Sequence, residues 1–184
     1  MVQCGNGEIL IDWSRFFDLA TFGRIATTSL PTCFDYLVRT SQRILHGTRG
    51  EWSHTGIIGH DAYMYNMRAG GLKYTWLGRY LARGGRVGIW QPRGIICKYD
   101  TVRAISRIKQ LGRFHHISYD FSFLLSLTLL SNPRKMVCSK LVQCYLIELY
   151  RYHPQIKVEN ETAFIPDDVG SFCDLVAVIE GGRK

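Results

Sequence analysis

Two apolar runs on either side of His60-Asp61 constrain the fold of this chain most strongly. The first run, His54–Gly59, is rich in isoleucine, and the second, Ala62–Met67, alternates aromatic residues with methionine. Runs of this kind separated by a two-residue turn predict a β-hairpin. We therefore expect antiparallel pairing near the middle of the chain, which differs from the parallel pairing of repeated βαβ units.

Further strands and helices are predicted on both sides of this hairpin. Short apolar runs bounded by glycine, aspartate or proline predict strands, and apolar residues at helical spacing predict helices. The mixture favours an α+β fold, with a small antiparallel sheet or half-barrel packed against helices. The predicted strands are Gly7–Asp12, Val87–Gln91 and Leu175–Ile179, and the predicted helices follow Pro31-Thr32 and cover Lys73–Arg83, Asp100–Leu111 and Cys138–Tyr150.

Length and composition are those of one soluble globular domain. The chain has 184 residues, of which 46% are hydrophobic and 21% charged, and it shows no repeat, low-complexity segment or linker. We therefore expect a single domain over 1–184, in which 13–50 is a variable segment that could shape a substrate cleft. The net charge of +8 favours an anionic partner such as nucleic acid, phospholipid headgroups or acidic cell-wall polymer, with nucleic acid the least expected of the three, although solubility alone also explains the charge.

Cysteine usage and the N-terminus indicate the compartment. The six cysteines are scattered without a C-x-x-C pair, which argues against a zinc site and against a disulfide framework. No metal or other cofactor is predicted. The N-terminus lacks the basic start and apolar run of a secretory signal, and the longest apolar stretch, Phe121–Leu130, is too short to span a bilayer. We expect a cytoplasmic or virion-associated protein of undetermined oligomeric state.

Cys138 stands at the predicted start of a helix whose apolar stripe begins at Leu141 and Val142. Free N–H groups and the positive dipole end of a first helical turn favour the thiolate, which is the nucleophilic form of cysteine. A cysteine before a helix is also often a buried structural residue. Cys138 is nevertheless the candidate nucleophile, with its own N–H as a candidate oxyanion donor, whereas Cys144 lies well inside the helix.

His54 begins the first strand of the predicted hairpin, and Asn66 lies near the end of the second. Their offsets from the His60-Asp61 turn are nearly equal, so the two side chains are expected to be cross-strand neighbours. An amide oxygen beside an imidazole can fix its tautomer, as the third member of a catalytic triad does. The simpler alternatives are a rim histidine packed on Trp52 and a polar residue on an exposed hairpin face.

These strings together resemble the circularly permuted NlpC-like branch of the papain-like superfamily, which is related to the lecithin retinol acyltransferase group. Ser53-His54-Thr55-Gly56-Ile57 is similar to its histidine strand, and Cys138-Ser139-Lys140-Leu141-Val142 to its nucleophile helix. Tyr63-Met64-Tyr65-Asn66 matches the strand of the third residue. Tyr119-Asp120-Phe121 and Ile165-Pro166-Asp167-Asp168 match motifs that precede and follow the cysteine, so that the resemblance covers about 50–180.

The resemblance implies a permuted papain-like fold and a cysteine peptidase-like or amidase-like hydrolase. Cys138 would be the nucleophile, His54 the general base and acid, and Asn66 the residue that orients it. Tyr119, Ser53 and Trp52 would contact substrate, which would be a cell-wall peptide or, for an acyltransferase or lipase, a lipid ester. Many relatives carry Glu, His or Gln where this chain has Asn66, and an amide stabilises imidazolium less than a carboxylate does.

Three other interpretations compete with this one. His115-His116 with His153 could form a metal site, but their spacing fits no common ligand pattern. A basic run near Phe114 could hold phosphate, although a solvated helix face is the more common explanation. Finally, the chain could keep the fold as a non-catalytic binding or structural component, for example of a phage virion or a host-interaction complex. The basic run comprises Lys98, Arg103, Arg107, Lys109 and Arg113.

Overall fold

The computed structural model describes residues 2–3, 9–10, 12–68, 70–94, 96–114, 118–119, 135–159 and 164–182. It is an α+β structure, as predicted, in which helices pack on both faces of a six-stranded antiparallel sheet. In chain order the strands are β1 (Val2–Gln3), β2 (Ile9–Leu10), β3 (Ile25–Ser29), β4 (His54–Ile58), β5 (Tyr63–Arg68), β6 (Gly71–Trp76), β7 (Arg86–Pro92), β8 (Ser118–Tyr119), β9 (Lys135–Met136) and β10 (Cys173–Glu180). The helices are α1 (Trp13–Leu19), α2 (Cys33–His46), α3 (Gly78–Leu81), α4 (Lys98–Phe114), α5 (Cys138–Leu149) and α6 (Val169–Phe172), the last preceded by a 3-10 turn at Pro166–Asp168.

The large sheet has the strand order β10-β7-β3-β4-β5-β6, and each neighbouring pair is antiparallel. The predicted hairpin is present, with Ile57 opposite Tyr65 and Ile58 opposite Met64. Its turn includes Asp61 and Ala62, both with positive φ. The pair β1 and β2 and the pair β8 and β9 form separate two-stranded ladders.

Strand β3 is central to the sheet, yet no strand was predicted there. It pairs with β4 on one side and β7 on the other, so all five of its residues are buried. Its second half, Thr27 to Ser29, is polar and does not alternate, because both faces of this strand are covered. The predicted helix over Lys73–Arg83 is wrong for a related reason. Residues 71–76 pair along the whole length of β5, and only the four residues of α3 are helical.

One face of the sheet packs against α4 and α5. Ile25, Ile57 and Met67 project from the strands into this core, where they meet the apolar stripe of α5. The opposite face packs against α1 and α3, with Phe16 and Leu81 in a second apolar cluster. The start of α5 therefore meets the sheet at β4, and this contact positions the candidate site.

Helix α4 begins at Lys98, two residues before the predicted N-cap Asp100. The Cys97 sulfur accepts from the Asp100 N–H at 3.4 Å, so Cys97 occupies the capping place and Asp100 lies in the first turn. Arg103, predicted on a solvated face, instead binds the Asp100 carboxylate at 2.7 Å and the Glu148 carbonyl at 3.1 Å. It thereby joins α4 to α5. Within the described part of the chain, no helix is long and apolar enough to cross a membrane.

Candidate active site

Cys138 is the first residue of α5, as predicted. Val137 precedes it in an extended conformation and supplies no capping side chain, so the first-turn N–H groups face the cysteine sulfur instead. The N–H groups of Cys138, Ser139 and Thr55 all favour the thiolate. Burial outweighs them and raises the pKa of the Cys138 thiol to about 11, since the residue is only 5% exposed. In this state the sulfur is a protonated thiol at neutral pH.

His54 begins β4, opposite Thr28 of β3. Burial, together with the nearby Arg68 guanidinium, lowers the pKa of its imidazole to about 4 against the opposing effects of Asn66 and Asp35. The ring is thus neutral at pH 7. Its Nε2 atom is buried and has no hydrogen-bond partner among the described residues. A neutral imidazole with an unpartnered nitrogen is the form that a general base requires.

Asn66 is fully buried and lies beside the His54 ring, where its side chain raises the pKa of the imidazole. Asn66 is itself held by Arg68, which donates to its Oδ1 at 3.0 Å, and by the Met64 carbonyl, which accepts from its Nδ2 at 3.2 Å. Asn66 and His54 are thus neighbours across the hairpin, as their offsets predict, while the role of Asn66 as the orienting residue stays a prediction.

The glycine of the histidine strand explains how Asn66 reaches this position. A Cβ on Gly56 would lie 3.1 Å from the Asn66 Cβ and 2.5 Å from the Tyr65 carbonyl oxygen. Only glycine therefore leaves room for β5 to approach with Asn66 on the same face as His54. The register places Asn66 near Gly56, two residues from His54, so the two polar side chains are diagonal neighbours.

Cys138 lies close to the backbone of β4, next to His54. The sulfur lies against the N–H of Thr55, the residue that follows His54. Since Nε2 has no partner within the described residues, it makes no hydrogen bond with the Cys138 sulfur. The structure thus places Asn66 beside the His54 ring and the Cys138 sulfur against the N–H of Thr55.

Arg68 and Tyr80 belong to this cluster and were not predicted. The Arg68 guanidinium donates to the Tyr80 hydroxyl and lies 5.5 Å above the Tyr80 ring. The Tyr80 ring stacks on that of His54 with 6.4 Å between centroids. Arg68 also favours the ionised form of Cys138. The period-2 alternation of a strand could have indicated Arg68, which is two residues beyond Asn66. The position of Tyr80 depends on α3, whose bounds were predicted wrongly.

Ser53 and Trp52 differ in what they can offer a substrate. The Ser53 hydroxyl contacts the Asp35 carboxylate of α2 and lies 3.2 Å from the Thr28 carbonyl oxygen. Asp35 also favours protonation of His54, and sequence reasoning missed it. Trp52 is buried beneath the Arg86 guanidinium, 5.4 Å away, and thus has almost no surface available to a substrate in this state.

The Ile165–Asp168 motif fixes the entrance to β4. The Asp167 carboxylate accepts from the N–H groups of Glu51 and Trp52 at 3.3 and 3.2 Å. The Asp168 carboxylate accepts from the Ile165 N–H at 2.7 Å and closes the turn on itself. Asp167 therefore holds the backbone just before His54, which gives this motif a positioning role.

Several predicted residues fall where the structure says little. Tyr119 lies in β8, without a described side chain, and Asp120, His115, His116 and Phe121–Leu130 lie outside the described residues. His153 contacts the Asp100 carboxylate at 3.4 Å. Over the described ranges, no group of three or more His, Cys, Asp or Glu side chains is arranged to hold a metal ion.

The basic run on α4 is divided among different contacts. Arg103 is bonded internally, and Lys109 lies 4.9 Å from the centre of the Tyr65 ring. The Arg113 side chain is not among those described. Arg103 and Lys109 of this run are thus already engaged with other groups of the protein.

Comparison with known proteins indicates the fold alone. No protein-family model and no curated protein sequence matches this chain. The crystal structure of the metalloprotein YiiX (DUF1105) from Escherichia coli O157:H7 is similar, with a TM-score of 0.50 and 19% identity. The similarity covers 75% of this chain and 68% of YiiX.

Proposed function

We propose that this chain is a cysteine hydrolase with a permuted papain-like fold, in which Cys138 is the nucleophile, His54 the general base and Asn66 its orienting residue. The observation that carries the proposal is a neutral His54 whose buried Nε2 has no partner among the described residues, with Asn66 beside the ring and the Cys138 sulfur against the N–H of the next residue, Thr55. A structural histidine would more often have both ring nitrogens satisfied. An unpartnered, buried Nε2 is instead typical of a nitrogen reserved for a reacting group.

The proposed reaction is acyl transfer through a thioester. Nε2 of His54 takes the proton of the Cys138 thiol, and the sulfur attacks the substrate carbonyl carbon to form a C–S bond. The N–H of Cys138 donates to the resulting oxyanion. When the intermediate collapses, the bond to the leaving amine or alcohol breaks, and His54 returns the proton to that leaving group. Water then gives a proton to His54, attacks the thioester and releases the acid, while the sulfur recovers its proton.

Arg68 sets the electrostatics of this scheme. Its positive charge near His54 and Cys138 disfavours imidazolium and favours thiolate. Proton transfer between two neutral groups thus requires Nε2 and the sulfur to meet within hydrogen-bond reach, which the active form must achieve. The sulfur must also become exposed, since it is buried in this state.

The substrate class follows from the carbonyl that the thiolate attacks. An amide would be a cell-wall peptide and an ester would be a lipid, and the net charge of +8 suits either anionic material. Profiling with cell-wall peptide fragments, phospholipids and acyl thioesters separates these classes. We expect hydrolysis of one class by the wild type, complete loss in Cys138→Ser, and retention in the matched variant Cys144→Ser. Equal activity of Cys138→Ser and the wild type would reject the proposal.

A second candidate is a binding component that keeps this fold without catalysis. The burial of Cys138, its raised thiol pKa and the missing hydrogen bond to His54 all favour this alternative. In that case Cys138→Ser would preserve both fold and function, and none of the acyl substrates would be turned over. The profiling experiment therefore distinguishes the two candidates.

A further inference from the structure

Helix α2 exposes its apolar side to solvent. Phe34 is 59% exposed, Leu37 62%, Ile44 75% and Leu45 48%. Their spacing along 14 residues places them on one side of the helix. A surface helix ordinarily buries such a stripe, and contiguous exposed apolar side chains of this size mark an interaction site.

The polar side of α2 is the side that contacts the protein. Gln42 is buried, and Asp35 accepts from the Thr32 hydroxyl at 2.5 Å and contacts the Ser53 hydroxyl. Arg43, at the border of this side, is exposed, and its Nε donates to the Arg49 carbonyl of the following loop at 2.7 Å. The contact of Asp35 with Ser53 and the burial of Gln42 hold the polar side against the protein, so the apolar residues point outward.

The charges of α2 favour an anionic partner. The helix carries Arg39 and Arg43, and its one acid, Asp35, is already engaged by Thr32 and Ser53. A strongly amphipathic helix of low mean hydropathy, with cations on its polar side and Phe and Leu on the other, is typical of helices that lie in a membrane interface.

The size of the exposed face argues against a second copy of the chain. A 14-residue helix is about 21 Å long and about 10 Å wide, which gives roughly 200 Å² of contact. A stable protein interface needs about 800 Å² on each partner. Binding to a bilayer has no such minimum contact area, because each apolar side chain that enters the acyl region contributes separately.

We propose that α2 docks on an anionic lipid bilayer, with Phe34, Leu37, Ile44 and Leu45 inserted below the headgroups and Arg43 at the phosphate level. Since Asp35 in its first turn holds Ser53, the docked helix lies one hydrogen bond away from the strand that carries His54. The proposal does not depend on the reaction proposed for Cys138. It concerns where the protein acts, and its test uses no catalytic residue.

The test is flotation of the full chain with vesicles of phosphatidylcholine alone or mixed with phosphatidylglycerol. We expect the wild type to bind the mixed vesicles and Leu37→Glu/Ile44→Glu to bind at least about tenfold less. The matched control Tyr99→Glu/Val102→Glu places the same two charges on exposed apolar positions of α4 and should bind as the wild type does. Circular dichroism and thermal unfolding identify any variant that fails to fold.

A second readout uses α2 without the glutamate substitutions, so it does not depend on whether Leu37→Glu/Ile44→Glu folds. Cys33 is the exposed first residue of α2, so a polarity-sensitive dye on it, in a Cys4→Ser/Cys97→Ser background, should shift to the blue on mixed vesicles. Absence of wild-type binding, or equal binding by Leu37→Glu/Ile44→Glu, overturns the proposal. A wild type that is dimeric in sedimentation, with a monomeric Leu37→Glu/Ile44→Glu, also overturns it and assigns the face to self-association.

Discussion

Helices α5 and α2 use their apolar sides in opposite ways. Leu141, Leu146 and Leu149 of α5 are almost completely buried against the sheet, whereas Leu37 and Ile44 of α2 are mostly exposed. Both helices show apolar residues at helical spacing. What differs is the other side: α2 turns Asp35 and Gln42 toward the protein, and α5 turns toward it the stripe that follows Cys138. Periodicity thus identifies a helix without showing which side the protein covers.

Truncation of one leucine or isoleucine in each helix should give the largest difference between α5 and α2. Leu146→Ala should lower the free energy of unfolding by about 2–5 kcal/mol, because it leaves a cavity in the core. Ile44→Ala, at an exposed position, should change it by less than about 0.5 kcal/mol. Urea denaturation measures both. Equal losses would mean that the apolar side of α2 is covered.

Asn66→Ala should have the next largest effect, since it removes a buried partner from both His54 and Arg68. We expect a loss of about 1–3 kcal/mol in the free energy of unfolding, together with loss of turnover. Lys73→Ala is the control, because Lys73 lies opposite Asn66 on β6 and is exposed. If Asn66→Ala unfolds with the same free energy as the wild type, the buried contacts of Asn66 with His54 and Arg68 do not stabilise the protein.

The depressed pKa of His54, about 4 against an ordinary 6.5, predicts a pH dependence of stability. Between these values the unfolded chain binds a proton that the native ring does not, so the free energy of unfolding should fall as pH falls from about 6.5 to about 4. The slope approaches about 1.4 kcal/mol per pH unit. His54→Asn should flatten this part of the curve in urea titrations between pH 7 and pH 4.5. Parallel curves for both proteins would rule out the lowered pKa of His54.

Asp167→Asn should have a smaller effect than Asn66→Ala, about 1 kcal/mol, because an amide replaces one of two carboxylate oxygens that accept from the backbone before β4. Asp174→Asn breaks an exposed ion pair with Arg93 and should cost less. Thermal unfolding compares the two. A larger cost for Asp174→Asn would remove the positioning role assigned to Asp167.

Sequence reasoning succeeded where local pattern decides structure. The hairpin, α2, α5 and the contact of Asn66 with His54 follow from turn residues, periodicity and strand offsets. It failed at β3, whose polar second half is buried only because two other strands flank it, and at β6, whose pairing with β5 overrides helical propensity. Arg68, Tyr80 and Asp35 were missed because long-range packing brings them to His54.

The central claim is that His54 activates Cys138. Its most direct test measures acylation of Cys138 by an activated acyl ester, mapped by peptide mass spectrometry, in a Cys33→Ser/Cys97→Ser background that removes two exposed thiols. Cys144, in the same helix, is the internal control. We predict that Cys138 is acylated faster than Cys144, and that His54→Ala slows Cys138 by about 100-fold or more without changing Cys144. A Cys138 no faster than Cys144, or equally fast without His54, would contradict the account.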